Sequence, residues 1–279
     1  MATKCLGIVG VGLIGGSIGL AARRTKQFGT ILGVDHDSPS LTQAHNLGCI
    51  DEGTTLDVAA ERADVLVFCT PVDRIAELVV AAARHCRPDA ILTDAGSTKV
   101  AIVAAIDTLS SPAVRFVGAH PLAGSEKHGC AAAEADLFDD HLTILTPTER
   151  TQAQAVDGSR RFWESLGCRV RLMSPEEHDR GVAVTSHLPH LLSALLAGML
   201  PEALVELTAS GFRDMTRLAA GDPAVWSAIF VQNRDNVLAA LKMVQERLPK
   251  VASALTTSDA TAIERLLADA KRIRDDLGD

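Results

Sequence analysis

Two polar residues stand just after short apolar runs. Arg115 to Ala119 (RFVGA) reads as a buried strand, and His120-Pro121 follows it. Ala90 to Asp94 (AILTD) reads as another, followed by Ala95-Gly96-Ser97. An imidazole at such a rim titrates near neutral pH and can take a proton from a hydroxyl. That service is worth about 10²–10⁴-fold in rate. A histidine that merely ends a strand is the alternative. Ser97 can share a hydrogen bond with the same hydroxyl or with a neighbouring bound group, or cap the helix that starts near Lys99, and the readings are compatible. Gly211 to Arg217 carries two guanidiniums, Arg213 and Arg217, between apolar helices. It reads either as a clamp for a carboxylate or as a solvated turn. His187 and His190 lie three apart on one helix face. Pro189 between them removes a helical N–H, which predicts a kink that exposes backbone groups and both imidazoles. With no HExxH pattern and no clear third ligand, the pair does not argue for a metal.

The first thirty-five residues must position something larger. Leu6 to Gly10 reads as a buried strand, Gly10-Val11-Gly12-Leu13-Ile14-Gly15 as a turn, Gly16 to Arg23 as a helix and Ile31 to Asp35 as a second strand. Gly10 permits the turn, Gly12 lets a pyrophosphate approach the backbone, and Gly15 lets helix and strand pack closely. The helix N-terminus offers unpaired N–H groups to phosphates. Asp35, twenty residues beyond Gly15, is placed to accept bonds from ribose hydroxyls. A carboxylate there repels a 2′-phosphate, and His36-Asp37-Ser38 supplies no arginine to hold one. The pattern predicts a dinucleotide site that favours NAD over NADP.

The remaining elements follow the same alternation. Ala63 to Thr70 is a third strand, stopped by Pro71; residues 73–86 carry helical spacing; 142–146 and 168–172 are two further strands with a helix between them. Ser40 to Leu47 is a helix followed by a polar loop. Strands alternating with helices predict an α/β fold with a mainly parallel sheet covered on both faces. In such a sheet, ligands sit beyond the carboxyl ends of the strands. The glycine loop, Asp35, Thr70-Pro71, Asp94 to Ser97 and His120 to Lys127 all fall there. At Ser174 the texture changes: serine N-cap, proline next, glutamate three residues after the cap. No strand pattern recurs. Asp222-Pro223 starts a helix whose apolar stripe runs from Val225 to Val244, with Pro249 ending it. Ser258 or Asp259 starts a last amphipathic helix to about Leu277. The expected organisation is a Rossmann-type domain over 1–174 and an all-helical domain over 175–279. About a hundred helical residues with long apolar faces bury little surface alone, which predicts a homodimer.

The totals exclude several classes. The chain has 279 residues, 47% hydrophobic, with a net charge of −8. That balance argues against a nucleic-acid or anionic-membrane surface. Six cysteines are scattered without a CxxC pair, as in a reducing cytoplasm rather than a disulfide framework. The first strand begins almost at Met1, leaving no room for a signal peptide. Gly181 to Pro201 carries no Asp, Glu, Lys or Arg and approaches bilayer length. Two histidines and a proline in its middle argue for a buried core or interface helix instead.

Together these motifs carry a resemblance. GVGLIGGS, TDAGSTK, GAHPLAGSEKHG, SHLPHLL, GFRDMTRLAAGDPAVW and NRDNV resemble the prephenate and arogenate dehydrogenases of tyrosine biosynthesis, over residues from about 6 to 240. The resemblance implies a Rossmann-type domain plus a helical dimerisation domain, and oxidative decarboxylation of a dianionic cyclohexadienol with NAD(P) as acceptor. It implies that His120 deprotonates the ring hydroxyl, that Ser97 orients it, and that Arg217 grips a substrate carboxylate. His187 and His190 would line the pocket, Ser125 and Glu126 would sit near the substrate side chain, and Trp226 would close the site from its own subunit or its partner. Local positive charge from Arg213, Arg217 and Lys127 would admit a dianion to an acidic protein. Two rivals stay open. A β-hydroxyacid dehydrogenase or imine reductase needs a catalytic lysine on the helical part, and 174–241 holds none. An NAD-sensing regulator would not need His120, Ser97 and Arg217 together.

Overall fold

The computed structural model describes residues 4–108, 115–124 and 126–278; Ser125 lies outside the described residues. The chain forms two compact units, Met1–Asn233 and Arg234–Asp279.

In the first unit, β1 (Lys4–Val9), β2 (Phe28–Val34), β3 (Glu52–Gly53), β4 (Val65–Phe68), β5 (Ile91–Asp94), β6 (Phe116–Pro121), β7 (Leu142–Thr146) and β8 (Arg169–Leu172) form one sheet. Its order is β3-β2-β1-β4-β5-β6-β7-β8. Every adjacent pair is parallel except β6 with β7. The connections are made by α1 (Leu13–Thr25), α2 (Ser38–Asn46), α3 (Leu56–Arg62), α4 (Val72–Ala82), α5 (Val100–Asp107) and α6 (Ala153–Ser165). This is the mainly parallel, Rossmann-type sheet that the alternation predicts. The polar loop expected after Leu47 contains β3 and α3. A two-residue strand shows no period, and the buried face of α3 is Ala59 and Ala60, too small to stand out as an apolar stripe.

The sheet buries both faces. Along β4, Val65 and Val67 join one core cluster, with Leu6, Ile8, Ile18 and Trp163. Leu66 and Phe68 join the other, with Leu32, Val72 and Ile75. Side chains that alternate at period two while both sets are apolar require helices on each side.

One strand differs from expectation in a way that matters for the site. The apolar run predicts that β6 stops before His120-Pro121, but it runs through both residues. Its antiparallel partner β7 carries it on, with Ala119 opposite Leu145, His120 opposite Ile144 and Pro121 opposite Thr143. The proline sits at the strand's last residue, where its missing N–H breaks no interior ladder. His120 therefore stands on a paired strand, not on a loop.

Beyond the sheet, α7 (Pro175–Val182) opens with the expected capping box between Ser174 and Glu177. A π turn, Ala183–His187, leads into α8 (Leu188–Gly198), with Pro189 in its first turn. Pro189 cannot donate back into the preceding turn, and the helical ladder widens there. The histidines are not exposed by this interruption; His187 and His190 are both buried. α9 (Ser210–Thr216) and α10 (Pro223–Gln232) follow, the latter capped by Asp222, whose carboxylate accepts the Ala224 N–H at 2.7 Å. By length and composition Pro175–Gly198 could cross a bilayer, the one such helix among the described residues. It holds buried His178, Asp179, His187 and His190.

The change of element type at Ser174 is not where the compact units divide. Helices α7 to α10 belong to the sheet's unit, for two visible reasons. Asp179 on α7 accepts the backbone N–H groups of Lys99 and Val100 at 2.7 and 2.9 Å. Ile229 on α10 is part of the core with Phe68 and Ile75.

The second unit is a helix pair, α11 (Arg234–Thr256) and α12 (Ala260–Asp276), the latter capped by Asp259 onto the Ala262 N–H at 3.0 Å. Two expectations fail here. The apolar stripe from Val225 to Val244 is split at Asn233, and Pro249 lies inside α11 instead of ending it. A proline costs one ladder bond and a clash, about 3 kcal/mol, which the rest of a 23-residue helix can absorb.

Candidate active site

A cavity of about 860 Å³ opens at the carboxyl ends of the central strands. Its walls bring together Gly12, Leu13 and Ile14 from the glycine loop, Ser97 after β5, and His120 on β6. The loop following β6 adds Glu126 and Lys127, and the helical segment adds His190, Arg217 and Trp226. All these residues belong to the first compact unit.

The glycine loop has the form its residues require. Gly10 adopts φ +93°, a conformation costly for any residue with a Cβ. A side chain on Gly15 would collide with the Gly10 carbonyl, whereas one on Gly12 would meet nothing. That open space lies over the start of α1, whose N-cap makes no side-chain hydrogen bond. Asp35, just past β2, accepts the N–H groups of Val11 and Asp37, each at 3.0 Å. Thr70, beside the loop, has a buried hydroxyl with no hydrogen-bond partner. Thr70 and Pro71 are not on the cavity wall; their neighbour Cys69 is.

Asp94 does not face the cavity, contrary to its expected place at the cofactor. It is fully buried, and its carboxylate is filled by the Ala119 N–H at 2.8 Å, the Gly96 N–H at 2.9 Å and the Lys99 ammonium. The Lys99 ammonium also donates to the Ala119 carbonyl at 2.8 Å. The sheet register between β5 and β6 ends at Thr93 with Val117. Past that point this ion pair replaces the ladder and fixes the peptide unit before His120. Ser97 is not the cap of α5; that task falls to Asp179, and Ser97 lines the cavity.

Behind His120 lies a chain of polar groups that the sequence does not announce. His120 Nδ1 is 2.8 Å from His178 Nε2, and His178 Nδ1 is 2.8 Å from Asp179 Oδ1. The two rings meet edge to face at 5.0 Å. His178 and Asp179 are each 1% exposed. Asn233 donates to the Asp179 carbonyl at 2.7 Å and lies 3.0 Å from His187 Nδ1. Burial holds the His120 ring well below the ordinary imidazole range, and the neighbouring His178, Lys99 and His187 disfavour a second positive charge there. The ring is therefore neutral at physiological pH, as a base must be. In the sequence, His178 and Asp179 follow two glutamates in a charged stretch (PEEHDR), and nothing local marks them as partners of His120. The available signal was spacing: His178 and Val182 are four apart, on one helix face.

The two expected histidines play different parts. His190 stacks on Trp226, ring centroids 3.5 Å apart and planes 16° from parallel, and both line the cavity. His187 does not line it; burial pushes this imidazole down to about 4, and its Nε2 is buried with no partner. Arg217 lines the cavity and pairs with Glu126 at 3.0 Å. Its own backbone N–H, then Arg217, hold the Glu126 carboxyl below its usual range. Arg213 is exposed and off the wall. Lys127, also on the wall, lies 3.9 Å from Glu134.

Residues 18–172 match the model "Prephenate dehydrogenase, nucleotide-binding domain", and residues 174–269 match "Prephenate dehydrogenase, dimerization domain". A cyclohexadienyl dehydrogenase of Zymomonas mobilis is 35% identical over 97% of this chain and 95% of its own. A prephenate dehydrogenase of Bacillus subtilis is 34% identical over 97% of this chain and 75% of its own. The crystal structure of prephenate dehydrogenase from A. aeolicus, in complex with hydroxyphenyl propionate and NAD+, is 33% identical. It superposes with a TM-score of 0.90, covering 99% of both chains.

Proposed function

Because the chain belongs to the prephenate dehydrogenase family, we propose that it catalyses NAD-dependent oxidative decarboxylation of prephenate or arogenate. The observation that carries this is the shared wall: a neutral imidazole, His120, and a glycine loop fit for a dinucleotide border one cavity. The residues fit the cofactor on their own chemistry. The space over Gly12, the uncapped start of α1 and the unpartnered hydroxyl of Thr70 suit a pyrophosphate and ribose. Gly10, Gly12, Leu13, Ile14 and Gly15 would hold the phosphates, and Asp35 would accept from the adenine ribose. NAD, when bound, accepts the hydride from the hydroxyl-bearing ring carbon.

The chain's own residues supply the rest. His120 takes the hydroxyl proton on the nitrogen that faces the cavity, and Ser97 orients the hydroxyl. Arg217 grips a substrate carboxylate, exchanging Glu126 for the incoming anion. Trp226 and His190, stacked as one flat surface, pack against the ring. Loss of the ring carboxylate as CO₂ leaves the electron pair of the broken bond in the ring, which becomes aromatic and makes the reaction irreversible. Substrates that differ by a keto or an amino group share every one of these contacts.

The working form is a cytoplasmic homodimer built on the helical segment 175–279, with 1–174 as the nucleotide-binding part. Exposed Leu195, Met199, Leu207, Met215 and Val231 support it, because a helical face of this kind needs cover. A monomer at micromolar concentration by light scattering would remove this element. The activity is tested by absorbance at the NADH band, with purified protein and NAD supplied with prephenate or arogenate in parallel. Growth of the band with either diacid is expected; a flat trace with both overturns the reading.

A further inference from the structure

A neutral base in a buried site faces a difficulty. Once it accepts a proton it becomes a cation with little water to stabilise it. His120 is in this position, facing Lys99 from the β5–α5 connection and His187 from the π turn, with Asp94 already bound to Lys99. The relief lies on α7. Asp179 can only accept, so His178 Nδ1 carries the hydrogen in their 2.8 Å contact. With its hydrogen on Nδ1, His178 presents a lone pair at Nε2, to which His120 Nδ1 donates across 2.8 Å. The lone pair of His120 is thereby left on Nε2. The Asp179 carboxylate is itself fixed by the Lys99 and Val100 N–H groups at the start of α5.

We propose that His178 and Asp179 are positioning residues that hold His120 in its base-competent tautomer and take up the positive charge generated when it accepts the substrate proton. The inference rests on His120 being the base. The step balances. The substrate O–H bond breaks, and its proton bonds to His120 Nε2. The His120 Nδ1–H bond breaks, its electron pair stays on that nitrogen, and its proton bonds to His178 Nε2. His120 is again neutral, and the cation is now His178, directly against Asp179. As CO₂ leaves, the pair of the broken bond makes the ring aromatic and its oxygen anionic; that oxygen takes back the proton from His120 Nε2, and His178 Nε2 returns its own to His120 Nδ1.

The test uses the full-length enzyme with NAD and its diacid. His178→Phe keeps the ring packing and removes both nitrogens. Its kcat should fall by about 10–10³-fold, by analogy with the loss of a histidine's orienting partner, while KM values and NAD affinity stay within about threefold. His178→Gln keeps an acceptor for His120 Nδ1 but cannot accept the charge, and its kcat should lie between the two. Asp179→Asn should move the low-pH limb of kcat downward, because loss of the anion disfavours the imidazolium. In a His120→Ala background, His178→Phe should change kcat by less than about threefold, since groups acting as one unit are non-additive.

Wild-type kcat in either His178 variant overturns the proposal. So does a loss confined to KM, an unmoved or raised pH limb in Asp179→Asn, or the full loss repeated in the His120→Ala background. A slow His120→Ala beside a fast His178→Phe condemns the relay alone. A fast His120→Ala condemns the base assignment and the relay with it. Should His178→Phe fail to fold, His178→Gln and Asp179→Asn decide the matter by the same outcomes.

Discussion

Lys99 and Asp94 form an ion pair with no solvent access to either side chain, and between them they hold both backbone groups of Ala119. Two buried charges cancel only while both are present. Lys99→Met should leave an uncompensated carboxylate and cost about 3–5 kcal/mol of stability. Urea unfolding measures it. The double variant Lys99→Met with Asp94→Leu should recover much of that loss; equal stability in the wild type and Lys99→Met would show that the pair is not holding the strand.

Asp35 is expected to set cofactor choice. Its two oxygens already tie the glycine loop to the end of β2 through Val11 and Asp37. Asp35→Ser should weaken NAD binding and narrow the preference over NADP, by about tenfold or more for the loss of a charged acceptor. Binding constants for both coenzymes, by protein fluorescence, check this; an unchanged ratio places the selectivity elsewhere.

Arg217 is engaged by Glu126 at the cavity mouth. Arg217→Ala should raise the substrate KM by about 10–100-fold with a smaller change in kcat, because a bidentate clamp acts on ground and transition states alike. Glu126→Gln frees the guanidinium and should lower KM or leave it unchanged. Steady-state kinetics separate the two, and an unaltered KM in Arg217→Ala would move the clamp to another residue.

Acid should destabilise this protein through His187. Its imidazole is held down to about 4 by burial, whereas an unfolded histidine titrates near 6.5. Between those values the unfolded chain binds the extra proton, so stability is full above about pH 6.5 and is lost as pH falls toward 4. The loss attributable to this group is up to about 3 kcal/mol. Urea midpoints at pH 7 and 5 should differ more for wild type than for His187→Asn; equal differences would exclude His187 as the source.

These expectations show where the sequence is readable. Glycine spacing and apolar alternation announce the dinucleotide turn and most of the sheet, because each depends on neighbours within about thirty residues. The capping box at Ser174 is local too, and it stands as expected. What stayed hidden depends on distance in the chain. Asp94 reads as a rim carboxylate until β6 arrives with Ala119 and Lys99 folds back on it. His178 and Asp179 are only part of a charged helix start until α7 is packed against α5. The strand through His120-Pro121 depends on an antiparallel neighbour more than twenty residues away. Pro249 breaks helices on average, but α11 continues through it.

The π turn at Ala183–His187 makes this stretch a counted length. An extra residue in a helix displaces everything after it by roughly 100° of rotation. His190 is brought against Trp226 downstream of that insertion. Removing one residue from 183–186 would restore an even helix and swing His190 and Ser193 away from their partners. Such a shortened enzyme should keep its helical circular dichroism and lose turnover, whereas an active one would mean the register is not needed. Side chains in this stretch can therefore be exchanged one for one far more easily than its length can change by a residue.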